Sequence, residues 1–192
     1  RGLAVKPALV ITDSQAVREV AAAVPEGIRL TTFSTLFARY KGDFAAQLAG
    51  AAAIDTLKDG DRVLIAEGCS HHVTCDDIGR VKIPNWMKKY TGRELKFEWT
   101  QGADFPDNLE DYALVVHCGG CMLNRAEVRR RINECARQGV KVTNYGIVIS
   151  KMQGVLERVV KGIADAGATG SVSDTGSISD TGSVSDTGEE GD

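Results

Sequence analysis

The sequence predicts an α/β protein built on parallel sheet, with chemistry gathered at one edge of that sheet. Three observations carry this. Short runs of branched apolar residues alternate with segments of helical character, and strand–helix alternation yields parallel strands. Two of the runs, Arg62–Glu67 and Ala113–His117, lead into cysteines: Cys69 two residues past the first, Cys118 directly after the second. In open α/β sheets the carboxyl ends of the strands are where ligands bind.

Each element has a local reason. Ala8–Thr12 follows Pro7 and reads as a buried strand. Asp13-Ser14 offers a helix N-cap, because a short side-chain oxygen accepts an orphan backbone N–H; the helix is expected to reach Ala23 and stop before Pro25. Ile28–Thr32 reads as a second strand. Helices are expected near 33–40 and 43–57, the second rich in alanine, and Lys58–Asp61 marks a turn.

Arg62–Glu67 (R-V-L-I-A-E) is the next strand. A loop through Asp76-Asp77-Ile78-Gly79 is expected to precede a helix from Pro84 to Tyr90, where proline in the first turn lacks only an orphan N–H. Leu95–Thr100 alternates like a strand, and Ala113–His117 is the clearest buried one. Asn124 and Glu127 resemble a capping box opening a helix to about Gln138, with Gly139 ending it. Val140–Thr143 reads as a short strand. One last helix is expected to carry Val148, Met152, Val155, Leu156 and Val159 on one side. The architecture implied is Rossmann-like. Two parallel-sheet units are expected, at 1–60 and 61–166, with a tail from 167 to 192.

That tail repeats the hexamer S-[V/I]-S-D-T-G three times, from Ser171 to Gly188. One small apolar residue in six does not offset the entropy of ordering, so disorder is expected. Residues 168–192 hold six acids and no Lys or Arg; without them the body has 20 acids against 23 bases. So mild a balance gives no footprint for nucleic acid. No apolar run approaches the ~18 residues that span a bilayer, and residues 1–4 lack a signal-peptide layout. The absence of an initiator Met predicts a piece of a longer chain. Five cysteines, two of them in C-G-G-C, fit a reducing, cytoplasmic setting better than a secreted disulfide framework.

The chemistry lies in two clusters, Cys69-Ser70-His71 and His117-Cys118-Gly119-Gly120-Cys121. Soft thiolates with imidazoles favour iron–sulfur or zinc over magnesium or calcium. Three thiolates can hold three corners of a 4Fe-4S cubane, with His71 or His117 as candidate for the fourth iron. Two alternatives stay open. Cys3His is a common closed zinc set, which would make the chain a zinc-stabilised interaction domain. A dithiol of Cys118 and Cys121, after a strand and before a helix, would make it a thiol oxidoreductase. Cys135 falls on an apolar helix stripe with Val128 and Ile132 and reads as core. Cys75 reads as a loop thiol, with ligation as its alternative. His72 is a candidate for hydrogen bonding beside the cluster or for solvent. Trp86 and Trp99 read as core or interface, Asp76 and Asp77 as solvated. No G-x-x-x-x-G-K-[ST] occurs, so these 192 residues carry no P-loop and no enzymatic activity is expected of them.

At these residues the chain resembles the C-terminal part of the FeFe-hydrogenase maturation GTPase family, HydF. The stretches are EGCSHHVTCDDIGRVKIP, VVHCGGCMLN and TNYGI, with PALVITDSQAV and FARYKGD upstream resembling the family's dimerisation domain. The resemblance covers about residues 3–163. It implies a 4Fe-4S cluster on Cys69, Cys118 and Cys121, with a labile fourth position near His71 or His117. It also implies a homodimeric scaffold. Such a scaffold takes a transient di-iron precursor from radical SAM maturases and passes it to apo FeFe-hydrogenase. The family's GTPase domain has no counterpart in these residues.

Overall fold

The computed structural model describes residues 5–69 and 77–164. His71, His72, Cys75, Asp76 and the hexamer repeats lie outside them. The first unit has strands β1 (Leu9–Thr12) and β2 (Arg29–Thr32), paired in parallel, joined by helix α1 (Val17–Ala23) and followed by α2 (Phe33–Lys41). Then come α3 (Phe44–Ala52), β3 (Arg62–Ala66), α4 (Ile83–Thr91), β4 (Lys96–Thr100), β5 (Leu114–His117), α5 (Arg125–Arg137), β6 (Lys141–Asn144), α6 (Tyr145–Met152) and α7 (Leu156–Ala164).

The second sheet is wholly parallel with spatial order β4-β3-β5-β6. From β3 the chain moves outward to β4, then returns across β3 to build β5 and β6 on the other side. The strand order therefore reverses between β3 and β5, the place where open α/β sheets form a ligand crevice. The two strands at that crevice are the continuous apolar runs, as expected for strands covered on both faces. Val63, Ile65, Leu114 and Val116 point to one face, against Ile83 and Met87 of α4 and Val148 and Ile149 of α6. Leu64, Ala66 and Val115 point to the other, against Val128, Ile132 and Cys135 of α5. Cys135 is fully buried, and burial pushes its thiol up to about 12.

The two units interlock. Helix α3 lies on β6 and α7 on β2, each so close that a Cβ on Gly50 would strike the Val142 carbonyl and one on Gly162 that of Leu30. The terminal helix thus closes the face of the first, two-stranded sheet, while α3 serves the second.

Four expectations are corrected. Asp13 does not cap α1: its Oδ1 accepts the N–H of Gln15 at 2.8 Å, and the helix starts only at Val17. The loop before Pro84 is already wound: Ile78–Lys82 form a π-helical turn, capped by Asp77, whose Oδ1 accepts the N–H groups of Gly79 and Arg80 at 2.9 Å. Helix 43–57 tightens after Ala52 into a 3-10 turn at Ala53–Thr56. The last helix is two, because the chain breaks at Gly154, whose φ of +74° favours glycine.

Candidate metal centre

The site begins with register. Ala66 of β3 stands opposite His117 of β5, and the N–H of Cys118 donates to the Ala66 carbonyl at 2.9 Å. The chains leave these strands side by side, Glu67-Gly68-Cys69 from one and Cys118-Gly119-Gly120-Cys121 from the other. Two backbone N–H groups converge on the Cys118 sulfur, that of Gly68 at 3.1 Å and that of Gly120 at 3.3 Å. Neither glycine tolerates a side chain: a Cβ on Gly68 would strike Leu123, and Gly120 has φ +65° with Val128 Cγ2 3.1 Å from where its Cβ would stand.

Burial is the largest influence on the Cys118 thiol and pushes its pKa up; the N–H groups of Gly68 and Gly120 oppose that. Cys69 and Cys121 each push it slightly further up, so both lie within electrostatic reach of Cys118. Cys121 is exposed and Cys69 partly so, leaving the group open on one side. Among the described residues no group of three or more His, Cys, Asp or Glu is arranged to hold a metal ion.

His117 is placed differently. Its ring lies under Gly120, where Val128 also packs, on the α5 side of the sheet, whereas Cys118 packs against the apolar cluster of the opposite face, which includes Tyr145. Successive strand residues face opposite ways, so the H-C pair divides between the faces. Nδ1 donates to the Cys118 carbonyl at 2.8 Å, which leaves Nε2 as a buried acceptor without a partner among the described residues. Burial holds the imidazole down to about 4, so it is neutral at pH 7.

The geometry weakens the dithiol alternative. Helix α5 starts at Arg125, four residues past Cys121, with Asn124 as its cap, accepting the Glu127 N–H at 2.8 Å. The helix N-terminus nearest Cys118, that of α6, is already capped by Asn144, whose Oδ1 accepts the Gly146 and Ile147 N–H groups, and burial raises the Cys118 thiol where a nucleophilic one is lowered.

Sequence reading missed a polar group beside these sulfurs. The Glu67 side chain is 2% exposed, pairs with Arg80 at 3.2 Å and accepts from Gln101 Nε2 at 3.4 Å. Its other oxygen and the buried Tyr145 hydroxyl have no partner among the described residues, and both crowd the space above Gly79. The Tyr145 pKa is raised well above normal, mainly by burial, then by Glu67 and Cys118. The available signal was a carboxylate closing an apolar central strand one residue before Gly-Cys.

Two family models match the chain, with their boundary between α2 and α3. Residues 2–42 match the hydrogen maturase F dimerization domain, and residues 45–162 match the hydrogen maturase F tetramerization domain. The chain belongs to the hydrogen maturase F family. Membership places it in hydrogenase maturation, and both matched HydF domains are self-association domains. No match was found among curated proteins. No described helix is long and apolar enough to cross a membrane.

Proposed function

We propose that this HydF chain is an iron–sulfur scaffold and carrier. Cys69, Cys118 and Cys121 hold three corners of a 4Fe-4S cluster, and the fourth iron keeps an exchangeable place. The observation that carries this is the β3–β5 register, which releases Gly68-Cys69 beside Cys118-Gly119-Gly120-Cys121, with the Gly68 N–H on the Cys118 sulfur at 3.1 Å. A cubane presents separate irons to separate thiolates, whereas a zinc ion would draw the same three to one centre; iron, sulfide and zinc analysis separates the two.

The residues present supply what such a group needs. Gly68 and Gly120 donate N–H groups to sulfur, which stabilises the thiolate form and tunes a bound cluster. Exposure of Cys121 leaves an approach for a guest. His71 is the candidate for the fourth place, since the His117 ring faces α5. His117 instead holds the Cys118 carbonyl.

The cargo is a di-iron precursor, received from radical SAM maturases and released to apo FeFe-hydrogenase by a self-associated, cytoplasmic scaffold. The chain need supply only ligands, shape and charge. These 192 residues hold no P-loop, so transfer from them alone is expected without added nucleotide. The test loads the reconstituted protein with a synthetic di-iron complex and mixes it with hydrogenase lacking its di-iron half. Hydrogen evolution is expected above that of precursor-free protein, and is expected to fall with Cys118→Ala or Cys121→Ala. Retention of the precursor with no activation would refute the carrier role.

A further inference from the structure

The loop that bears Cys118 and Cys121 is held from outside its own domain. Lys41, the last residue of α2, sends its ammonium to three carbonyls of that loop: Gly120 at 2.9 Å, Cys121 at 3.1 Å and Leu123 at 2.7 Å. An ammonium has three donors and here all three find acceptors. Its remaining side lies 4.8 Å from the Phe37 ring, a cation–π contact from one turn earlier on the same helix. The contact is part of a longer seam. At the other end of α2, Asn144 Nδ2 donates to the Ser34 carbonyl at 3.1 Å. Gly119 comes so near Ser34 that a Cβ there would stand 3.1 Å from its hydroxyl. Helix α2 therefore runs along the whole C-G-G-C loop, although it belongs to the dimerization unit at residues 2–42.

We infer that Lys41 is a positioning residue that sets the metal-binding loop and links the dimerization unit to the metal site; for its metal arm this rests on the scaffold reading above. A trans peptide points its N–H opposite its C=O. Drawing the Gly120 and Cys121 carbonyls to one ammonium therefore turns the N–H groups of Cys121 and Met122 away from it and fixes the curl between the two sulfurs. The linkage is reciprocal. A loop ordered by metal holds Lys41, and with it α2; a docked α2 presents a loop already shaped for metal. Neither end needs a change of fold.

Geometry, not charge alone, is what the loop uses. An ammonium meets three carbonyls arranged around a point, whereas a guanidinium is a flat fork. Lys41→Arg is therefore expected to resemble Lys41→Met. Arg39, exposed on the same helix turn, is the control.

The first arm uses the full chain without metal and reads amide hydrogen exchange. The Gly120 N–H is held by Cys118 Sγ and the Leu123 N–H by the Gly120 carbonyl at 3.2 Å, so both report on the loop. Lys41→Met and Lys41→Arg are expected to speed exchange at 119–123 about tenfold, with α5 and the sheet unchanged; Arg39→Met is expected to do nothing. Exchange at 119–123 equal to wild type, or acceleration spread evenly through the protein, overturns the inference. Lys41→Arg keeps charge and bulk, so it remains readable should Lys41→Met not fold. The second arm reads iron release to a chelator after anaerobic reconstitution. Release about tenfold faster from both Lys41 variants supports the linkage, and wild-type release rates from both overturn it. Failure of wild type to take up iron refutes the scaffold reading instead, and leaves the exchange arm to decide Lys41.

Discussion

Ala66 and His117 are partners in the parallel register of β3 and β5, and this pairing decides where the thiols meet. It carries Cys118 to the end of one strand just as the other strand releases Glu67, Gly68 and Cys69. The Cys118 N–H continues the ladder to the Ala66 carbonyl, so its position is set by backbone hydrogen bonding rather than by loop packing. A one-residue slip would turn every side chain of β5 to the other face and exchange the places of His117 and Cys118.

Gly120→Ala tests the loop. Its φ of +65° is costly for alanine, and the new methyl would press on Val128 Cγ2. A loss of about 1–2 kcal/mol in denaturant unfolding is expected, together with reduced iron uptake. Unchanged stability would mean that the loop adopts another path.

Glu127 governs the acid limb of stability. Arg130 beside it holds its carboxyl down to about 2, with Arg131 adding to the effect. The folded pKa lies below the ordinary 4.5, so this stability is complete above that value and is lost as pH falls towards 2. Glu127→Gln is expected to flatten the acid limb of a pH–stability profile. It would also strip the buried Arg131 of its carboxylate, at a cost of roughly 2–3 kcal/mol, less than for a wholly buried pair because Glu127 is partly solvated. An acid limb as steep in the variant as in wild type would contradict this.

The two histidines separate by spectrum. His71→Ala is expected to leave a cluster in place while changing its paramagnetic signal and its response to added imidazole. His117→Ala is expected to lower stability, since it opens a buried space beside Val128, without changing the cluster's response to imidazole. The reverse pattern would make His117 the exchangeable ligand.

Self-association is expected to reside in the body of the chain. Sedimentation should show the same oligomer when residues 168–192 are deleted, and dissociation on that deletion would assign assembly to the repeats.

Strands at the site were readable because β3 and β5 are buried on both faces and their sequences show it without a break. Asn124 was readable as a cap because its partner lies three residues away. What stayed hidden depends on distance along the chain or on competing local bonds. Asp13 has the chemistry of a helix cap but spends it on Gln15. The apolar stripe from Val148 to Val159 keeps helical spacing through Gly154, so the break is invisible to periodicity. Lys41 meets carbonyls about eighty positions later, and Glu67 meets Tyr145 only because both line Gly79. The sequence also grouped His117 with its neighbouring cysteine, whereas strand alternation sends them to opposite faces.

The central claim is that Cys69, Cys118 and Cys121 hold one cubane cluster. Anaerobic reconstitution followed by iron, sulfide and zinc analysis tests it most directly. Close to four irons and four sulfides per chain are expected, with broad thiolate-to-iron absorption. Most of that signal should be lost in Cys69→Ala, Cys118→Ala and Cys121→Ala and retained in Cys135→Ala. Stoichiometric zinc with no iron uptake in protein purified without oxygen would contradict the account.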